Sequence, residues 1–240
     1  MQVLTNRNIK NAVILWYDYP EKALELYGPI SEWDVSGVTD MSCLFDGLIE
    51  FNGDISRWNV SNVTNMSFMF NGATSFDQPI GDWNVSKVID MSSMFRQAHS
   101  FNQDIDTKEI TKNGDRYIAW NVSKVNNMRN MFSEAQIFNK SIANWDVSNV
   151  TDMSEMFCDA YKFNQDINTK VTTFSTGSYI SWNVSNVENM SYMFNHATLF
   201  NQPIGDWNVS NVKEKENMFR CAISFDKKNC CDFDKKNCSR

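Results

Sequence analysis

Few side chains in this sequence could do acid–base or nucleophilic chemistry, and their spacing keeps them apart. The two histidines, His99 and His196, fall in the third and sixth copies of a repeat, at different phases, too far apart to share a proton. No Ser-His-Asp or Cys-His-Asp set can be assembled, no glycine-rich phosphate loop occurs, and no Cys-x-x-Cys pair offers zinc spacing. Asp54, Asp104 and Asp166 recur at one phase and would form an oxygen ladder for calcium, but Pro79, Pro203 and Ser141 occupy that phase in other copies. A solvated loop is the better reading, since calcium takes six or more oxygens. Cys221, Cys230, Cys231 and Cys238 crowd the C-terminus in a spacing that no zinc frame uses, so disulfide cross-linking is the stronger alternative there. Cys43 and Cys158 read as free thiols. Asn59, Asn84, Asn121, Asn183 and Asn208 each open an Asn-Val-Ser sequon, yet Asp34 and Asp146 stand in the same column. That column wants a short polar acceptor more than a glycan. Neither catalysis, a metal nor a cofactor is expected.

What positions these residues is a repeat. Trp33, Trp58, Trp83, Trp120, Trp145, Trp182 and Trp207 are spaced by 25 residues, except for two intervals of 37. Counting from each Trp, Val stands at plus two and plus five, Ser at plus three, and Phe at plus twelve and plus eighteen in all seven copies. Met fills plus eight and plus eleven in six copies each, and Ala at plus fifteen fails only at Leu48. Self-similarity at this period outranks local propensity and predicts a stacked array with a one-dimensional core. Ile, Trp, Val and Ser alternate as a short strand would. Met, Met, Phe and Ala then fall at i, i+3, i+4 and i+7, the spacing of one buried helical face. Asp40, Asn65, Asp90, Asn127, Asp152 and Asn189 precede that segment as candidate helix caps. The repeating Ser and its neighbouring Asn or Asp suggest a side-chain ladder between copies.

The frame Ile-x-x-Trp-x-Val-x-x-Val, as in Ile55 to Val63, resembles a leucine-rich repeat, with Val63 in the place of the ladder Asn and Trp in that of a core Leu. The full W-[ND]-V-S-x-V-x-x-M-x-x-M-F-x-x-A-x-x-F-[ND] pattern, over residues 31 to about 228, is similar to the BspA-like repeats of bacterial surface proteins, mycoplasma lipoproteins and large DNA viruses. The segment ending in YGPISEWDVS is similar to the cap of the viral and algal members. Pattern and resemblance together imply an α/β, leucine-rich-repeat-like solenoid of seven coils, each a short parallel strand plus a short helix. Residues 1–30 are expected to be an N-terminal helical cap, 31–228 the solenoid, and 229–240 a Cys/Lys-rich tail. In the cap, Thr5 reads as an N-cap, Ile9, Val13, Leu15 and Trp16 as the apolar face, and Pro20 as the start of a second helix that Gly28-Pro29 ends. In the seventh copy Lys215 replaces Met, a polar end for the array.

The two longer intervals carry twelve-residue insertions at the same phase, near 106–118 and 168–180. Asn113-Gly114 and Thr176-Gly177 at their centres predict β-hairpins, two copies apart, that lie edge to edge as a four-stranded flap. Net charge is -7, and no Lys/Arg cluster is interleaved with aromatics. Nucleic-acid binding is therefore not expected. Nor is there an apolar stretch long enough for a membrane span, or an N-terminal secretory pattern. Because the strand row repeats one chemistry, selective contact is expected from positions that vary between copies and from the hairpins. Phe68, Tyr161, Tyr192, Asn113, Gly114, Thr176 and Gly177 are the candidate contact residues. The function these features imply is a non-enzymatic scaffold for a protein partner or for self-association. The resemblance places it in a virion or host cytoplasm if viral; a bacterial-type surface adhesin is the alternative, and a metal-binding protein or enzyme the third.

Overall fold

The computed structural model describes residues 3–112 and 114–230. The chain enters through α1 (Ile9–Asp18) and α2 (Pro20–Tyr27), followed by one 3-10 turn at Ile30–Glu32. Thr5 does not cap α1 with its side chain; its carbonyl accepts from the Asn8 and Ile9 N–H groups, and the helix starts after Asn8. α1 lays Ile9, Ala12 and Val13 on the core, and Trp16 meets Phe51 edge-on at 5.6 Å. The Asn6 amide oxygen accepts from Thr39 and Asp40 N–H at 2.9 and 3.2 Å, which ties this segment to the first repeat.

From Trp33 onward the expected architecture does not form. Among the described residues the only α-helices are α1 and α2, and the only strands belong to two antiparallel two-stranded hairpins. The α/β leucine-rich-repeat-like solenoid, with a parallel strand and a helix in each of seven coils, is overturned by these assignments. Each repeat is instead a run of tight turns. In the second repeat, Met69 N–H closes on Met66 O at 3.2 Å and Ala73 N–H on Phe70 O at 3.1 Å. The third residues of these turns, Phe68 and Gly72, have φ of 57° and 68°. That left-handed value is what a type II turn needs at its third position, and it excludes a right-handed helix. The same two positions are left-handed in every copy, through Tyr192 and His196 in the sixth and Asn217 and Cys221 in the seventh.

The helical spacing had a different cause. Two consecutive four-residue turns bring their first and last residues to one side, so Met, Met, Phe and Ala share an inner face without a helix. Amides that a helix would satisfy four residues back reach sideways. Met66, Phe68, Phe70 and Gly72 donate to Asp90, Ser92, Met94 and Arg96 carbonyls of the next repeat at 2.8 to 3.0 Å. Only isolated parallel bridges result, from Asp40↔Asn65 to Asn189↔Glu214. The residues expected as helix caps are these bridge residues, and their side chains accept from the amide two residues on, as Asp40 does from Ser42 at 2.9 Å. The expected strand is likewise a turn: Val63 N–H closes on Val60 O at 2.9 Å, and Asn59 Oδ1 accepts from Ser61 N and Oγ at 3.2 and 2.7 Å. The invariant Ser side chain thus serves its own repeat and makes no ladder, while the carbonyls of Ser36, Ser123, Ser148 and Ser185 accept from an Asn side chain of the next repeat at 2.6 to 2.9 Å.

The most regular side-chain ladder runs at plus nineteen. Each Oδ1 of Asn52, Asp77, Asn102, Asn139, Asn164 and Asn201 accepts from the backbone N–H of its counterpart in the next repeat, at 2.8 to 3.0 Å. Inside, the plus-twelve Phe residues from Phe45 to Phe219 stack at 5.3 to 5.7 Å with planes within 9°. A second column, Phe51 to Phe225, runs beside it at 5.7 to 6.1 Å. Stacked pairs of this kind contribute about 0.5–1.5 kcal/mol each beyond the area they bury. The indoles fasten copy to copy: Nε1 of Trp58, Trp120, Trp145, Trp182 and Trp207 donates to an Ile carbonyl of the preceding repeat at 2.8 to 2.9 Å.

Both insertions fold as antiparallel hairpins, β1 (Lys108–Lys112) with β2 (Asp115–Ala119) and β3 (Lys170–Phe174) with β4 (Gly177–Ser181). At each exit the Trp adopts positive φ, 48° at Trp120 and 50° at Trp182. Its N–H donates to the previous repeat's Trp carbonyl at 3.0 Å, because the insertion has displaced the nearby Ile carbonyl that Trp58 uses. The four-stranded flap does not form, for the hairpins remain separate sheets. They touch through side chains instead: the Glu109 carboxylate accepts from Ser175 N–H at 2.6 Å and from its hydroxyl.

Candidate protein-contact site

The hairpins hold their position through two tyrosines at equivalent places. Tyr117 OH donates to Asp82 O at 2.7 Å and Tyr179 OH to Asn144 O, so each hairpin bends over the preceding repeat. Burial pushes both phenols above their ordinary titration range. Thr107 and Thr169 pin the hairpin bases by donating to Trp120 O and Trp182 O at 2.7 and 3.0 Å. Ser175 holds the Glu109 carboxyl below the usual range, with Arg116 adding to the effect from 2.9 Å. Beside the base of the first hairpin, Asp106 accepts from Asn144 N–H at 2.9 Å and Ser141 Oγ at 2.8 Å. Burial nonetheless raises its pKa above 3.8.

Bending the hairpins over the stack leaves two clefts. One, of about 380 Å³, lies under the first hairpin and is lined by Arg57, Asn59, Ser61, Asn84, Lys112 and Tyr117 among others. The other, of about 120 Å³, lies between the hairpins and includes Asn121, Ser123, Asp146, Phe174, Thr176 and Tyr179.

The residues expected to make contact fall into separate groups. Thr176 lines the smaller cleft, while Gly114 and Gly177 form open turns with φ of 90° and 136°. Asn113 lies outside the described residues. Phe68, Tyr161 and Tyr192 are 37 to 39% exposed, but none lines either cleft, and Phe68 and Tyr192 stand four repeats apart. They do not form one patch. Phe68 and Tyr192 sit at equivalent left-handed turn positions of their repeats.

One cluster went unforeseen. His196 lies beside the neighbours Cys158 and Asp159 although it is 37 residues beyond Asp159: His196 Nδ1 is 3.1 Å from Asp159 Oδ1, and the Cys158 thiol donates to Asp159 Oδ2 at 3.2 Å. Tyr161 OH also donates to Asp159, at 3.2 Å. The arrangement is wrong for a nucleophile, because the thiol faces the carboxylate, and burial with that carboxylate pushes its pKa up to about 12. Among the described residues no group of three or more His, Cys, Asp and Glu could hold a metal ion. Of the C-terminal cysteines, Cys221 is a free, exposed thiol and Cys230 is disulfide-bonded, while 231 and 238 lie outside the described residues. No helix among the described residues is long and apolar enough to cross a membrane.

The paired tyrosines were legible, since both insertions carry Tyr four residues after the residue at the turn centre, Asn113 or Ser175. The cations of the larger cleft were not, because Arg57 and Arg116 meet only through the fold. The search of curated proteins and that of solved structures returned no match. A family model matches residues 18–117 and 169–240, more than half of the chain and most of its Trp-initiated repeats. That agrees with the BspA-like character of the repeat, and it supports no viral assignment. By its repeats and by that match, the chain belongs to the family described as Mycoplasma protein of unknown function, DUF285.

Proposed function

We propose that this protein is a non-enzymatic scaffold that binds another protein through the face bearing its two hairpins. One observation carries the reading: the hairpins are tethered to the stack by Tyr117 and Tyr179 and to each other by Glu109 and Ser175. A raised, fixed platform over a uniform surface is what selective contact needs, since ordering it at binding would cost affinity. The setting is a finer matter. The N-terminal cap resembles viral members and would place the scaffold in a virion or host-interaction system, whereas the Mycoplasma label of the family favours a bacterial-type surface adhesin. Cross-linking mass spectrometry on native material tests the reading. Cross-links from Lys108, Lys112 or Lys170 to one recurrent protein support it, and none above background from these lysines overturns it.

A further inference from the structure

The two clefts are copies of one another. Asn59, Ser61 and Asn84 stand at the repeat phases of Asn121, Ser123 and Asp146, and Lys112 and Tyr117 align with Phe174 and Tyr179 in the hairpins. They differ in what fills them. Under the second hairpin, Thr107 and Ile118 of the first insertion form a wall and leave about 120 Å³; under the first hairpin no insertion precedes, and about 380 Å³ stays open. The smaller cleft therefore shows what the larger one fits: an extended polypeptide segment.

The wall chemistry has changed between the copies. Lys112 replaces Phe174, Arg57 stands where the other copy has Ala119, and Arg116 where it has Ser178. Among the described residues the side chains of Arg57 and Lys112 make no hydrogen bond, although Arg57 lies near enough to Asp54 to help hold its carboxyl down; Arg116 is 2.9 Å from Glu109, and the nearby carboxylate of Asp82 is 3.7 Å from Lys108. Asp115 is the one lining carboxylate that opposes an incoming anion without such a partner. In a chain of net charge -7, a cleft edged by cations is a selective feature. We infer that the cleft beneath the first hairpin, edged by Arg57, Lys112 and Arg116, binds an extended, acidic segment of a partner protein in the position that the first hairpin takes beneath the second. This rests on the scaffold reading and names the chemistry of the partner.

The test uses the full chain and a fluorescein-labelled strand peptide of alternating Glu and Val, with a Gln–Val peptide as its neutral counterpart, read by fluorescence anisotropy at low salt. Saturable binding of the Glu peptide is expected, with weaker binding of the Gln peptide. Arg57→Gln and Lys112→Gln should each weaken the Glu peptide about two- to fivefold, the worth of one exposed charge pair. Asp115→Asn should strengthen it, and Lys162→Gln, away from the cleft, should leave it unchanged. Absence of saturable binding, equal binding of the two peptides, or an equal loss in Lys162→Gln overturns the site. If native cross-links map to a recurrent protein on the hairpins while the peptide does not bind, the scaffold reading stands and this site falls.

Discussion

Trp83 is the odd member of the indole column. Its Nε1 is buried without a hydrogen-bond partner, while Trp120 donates to Ile80 O at 2.9 Å. Trp→Phe at either position removes similar volume, but only Trp120→Phe removes a hydrogen bond; Ile80 O keeps the Trp83 N–H at 3.2 Å. The loss in Trp120→Phe should exceed that in Trp83→Phe by about 0.5–1.5 kcal/mol in urea unfolding. Equal losses would show that the indole bonds fasten nothing. Thiol reactivity is a second expectation at this scale. Cys158 is buried with its pKa near 12, whereas Cys221 is exposed. In iodoacetamide labelling at mild alkaline pH, Cys221 should react first and Cys158 only on unfolding. The carboxylates divide by sign. Asp34 and Asp54 are held below 3.8 by Ser36 and Ser56, so their contribution is present above that value and fades as pH falls. Asp106 is raised above 3.8, so its contribution is present in acid and is lost as pH climbs through its folded value. Asp106→Asn should flatten the decline in stability above pH 3.8, measured by urea midpoints across the acid range.

Turns, not helices or strands, build the repeats of this protein, and they set a distinct mutational rule. Repeats one and two place Gly47 and Gly72 at the second left-handed position, where later copies carry Gln97, Glu134, Asp159, His196 and Cys221. An L-residue there bears strain that Gly lacks, offset in part by the greater freedom of Gly in the unfolded chain. Cys221→Gly should therefore stabilise by about 0.5–1 kcal/mol and Cys221→Ala should not, as read from thermal unfolding. The hairpins answer to a separate contact. Glu109→Gln weakens the acceptor for Ser175, and hydrogen exchange should quicken in β3 and β4 while the Phe columns keep their protection. How much of this was written in the residues depends on the level. Periodicity identified the buried rows, and every Trp of the repeat is in the core. Backbone conformation was hidden, because the Met and Phe spacing fits both a helix and paired turns, and only the sign of φ at Phe68 or Glu155 separates them. The FNQD loops, weighed as a calcium ladder, held the Asn column instead, whose meaning depends on side chains one repeat away. Arg57 and Lys112 share a cleft only because a hairpin folds back, which no local pattern encodes.

At the scale of the whole molecule, stability is a sum over neighbouring layers. A central ring such as Phe132 touches Phe95 and Phe157 on its two sides, at 5.6 and 5.7 Å, whereas Phe219 stacks within its column on Phe194 alone. Phe132→Ala should cost about 3–5 kcal/mol and Phe219→Ala clearly less in urea unfolding. The last repeat is also the least buried, with Val209 and Val212 only partly covered. The plus-nineteen column carries a further consequence. Because each side-chain oxygen receives the amide of its own counterpart one repeat on, any 25-residue unit cut out at one phase presents at its end what it requires at its start. Length is thus a free variable of this design: copies can be duplicated or lost between the ends without a compensating change elsewhere, and a hairpin can be carried in or out with the copy that bears it.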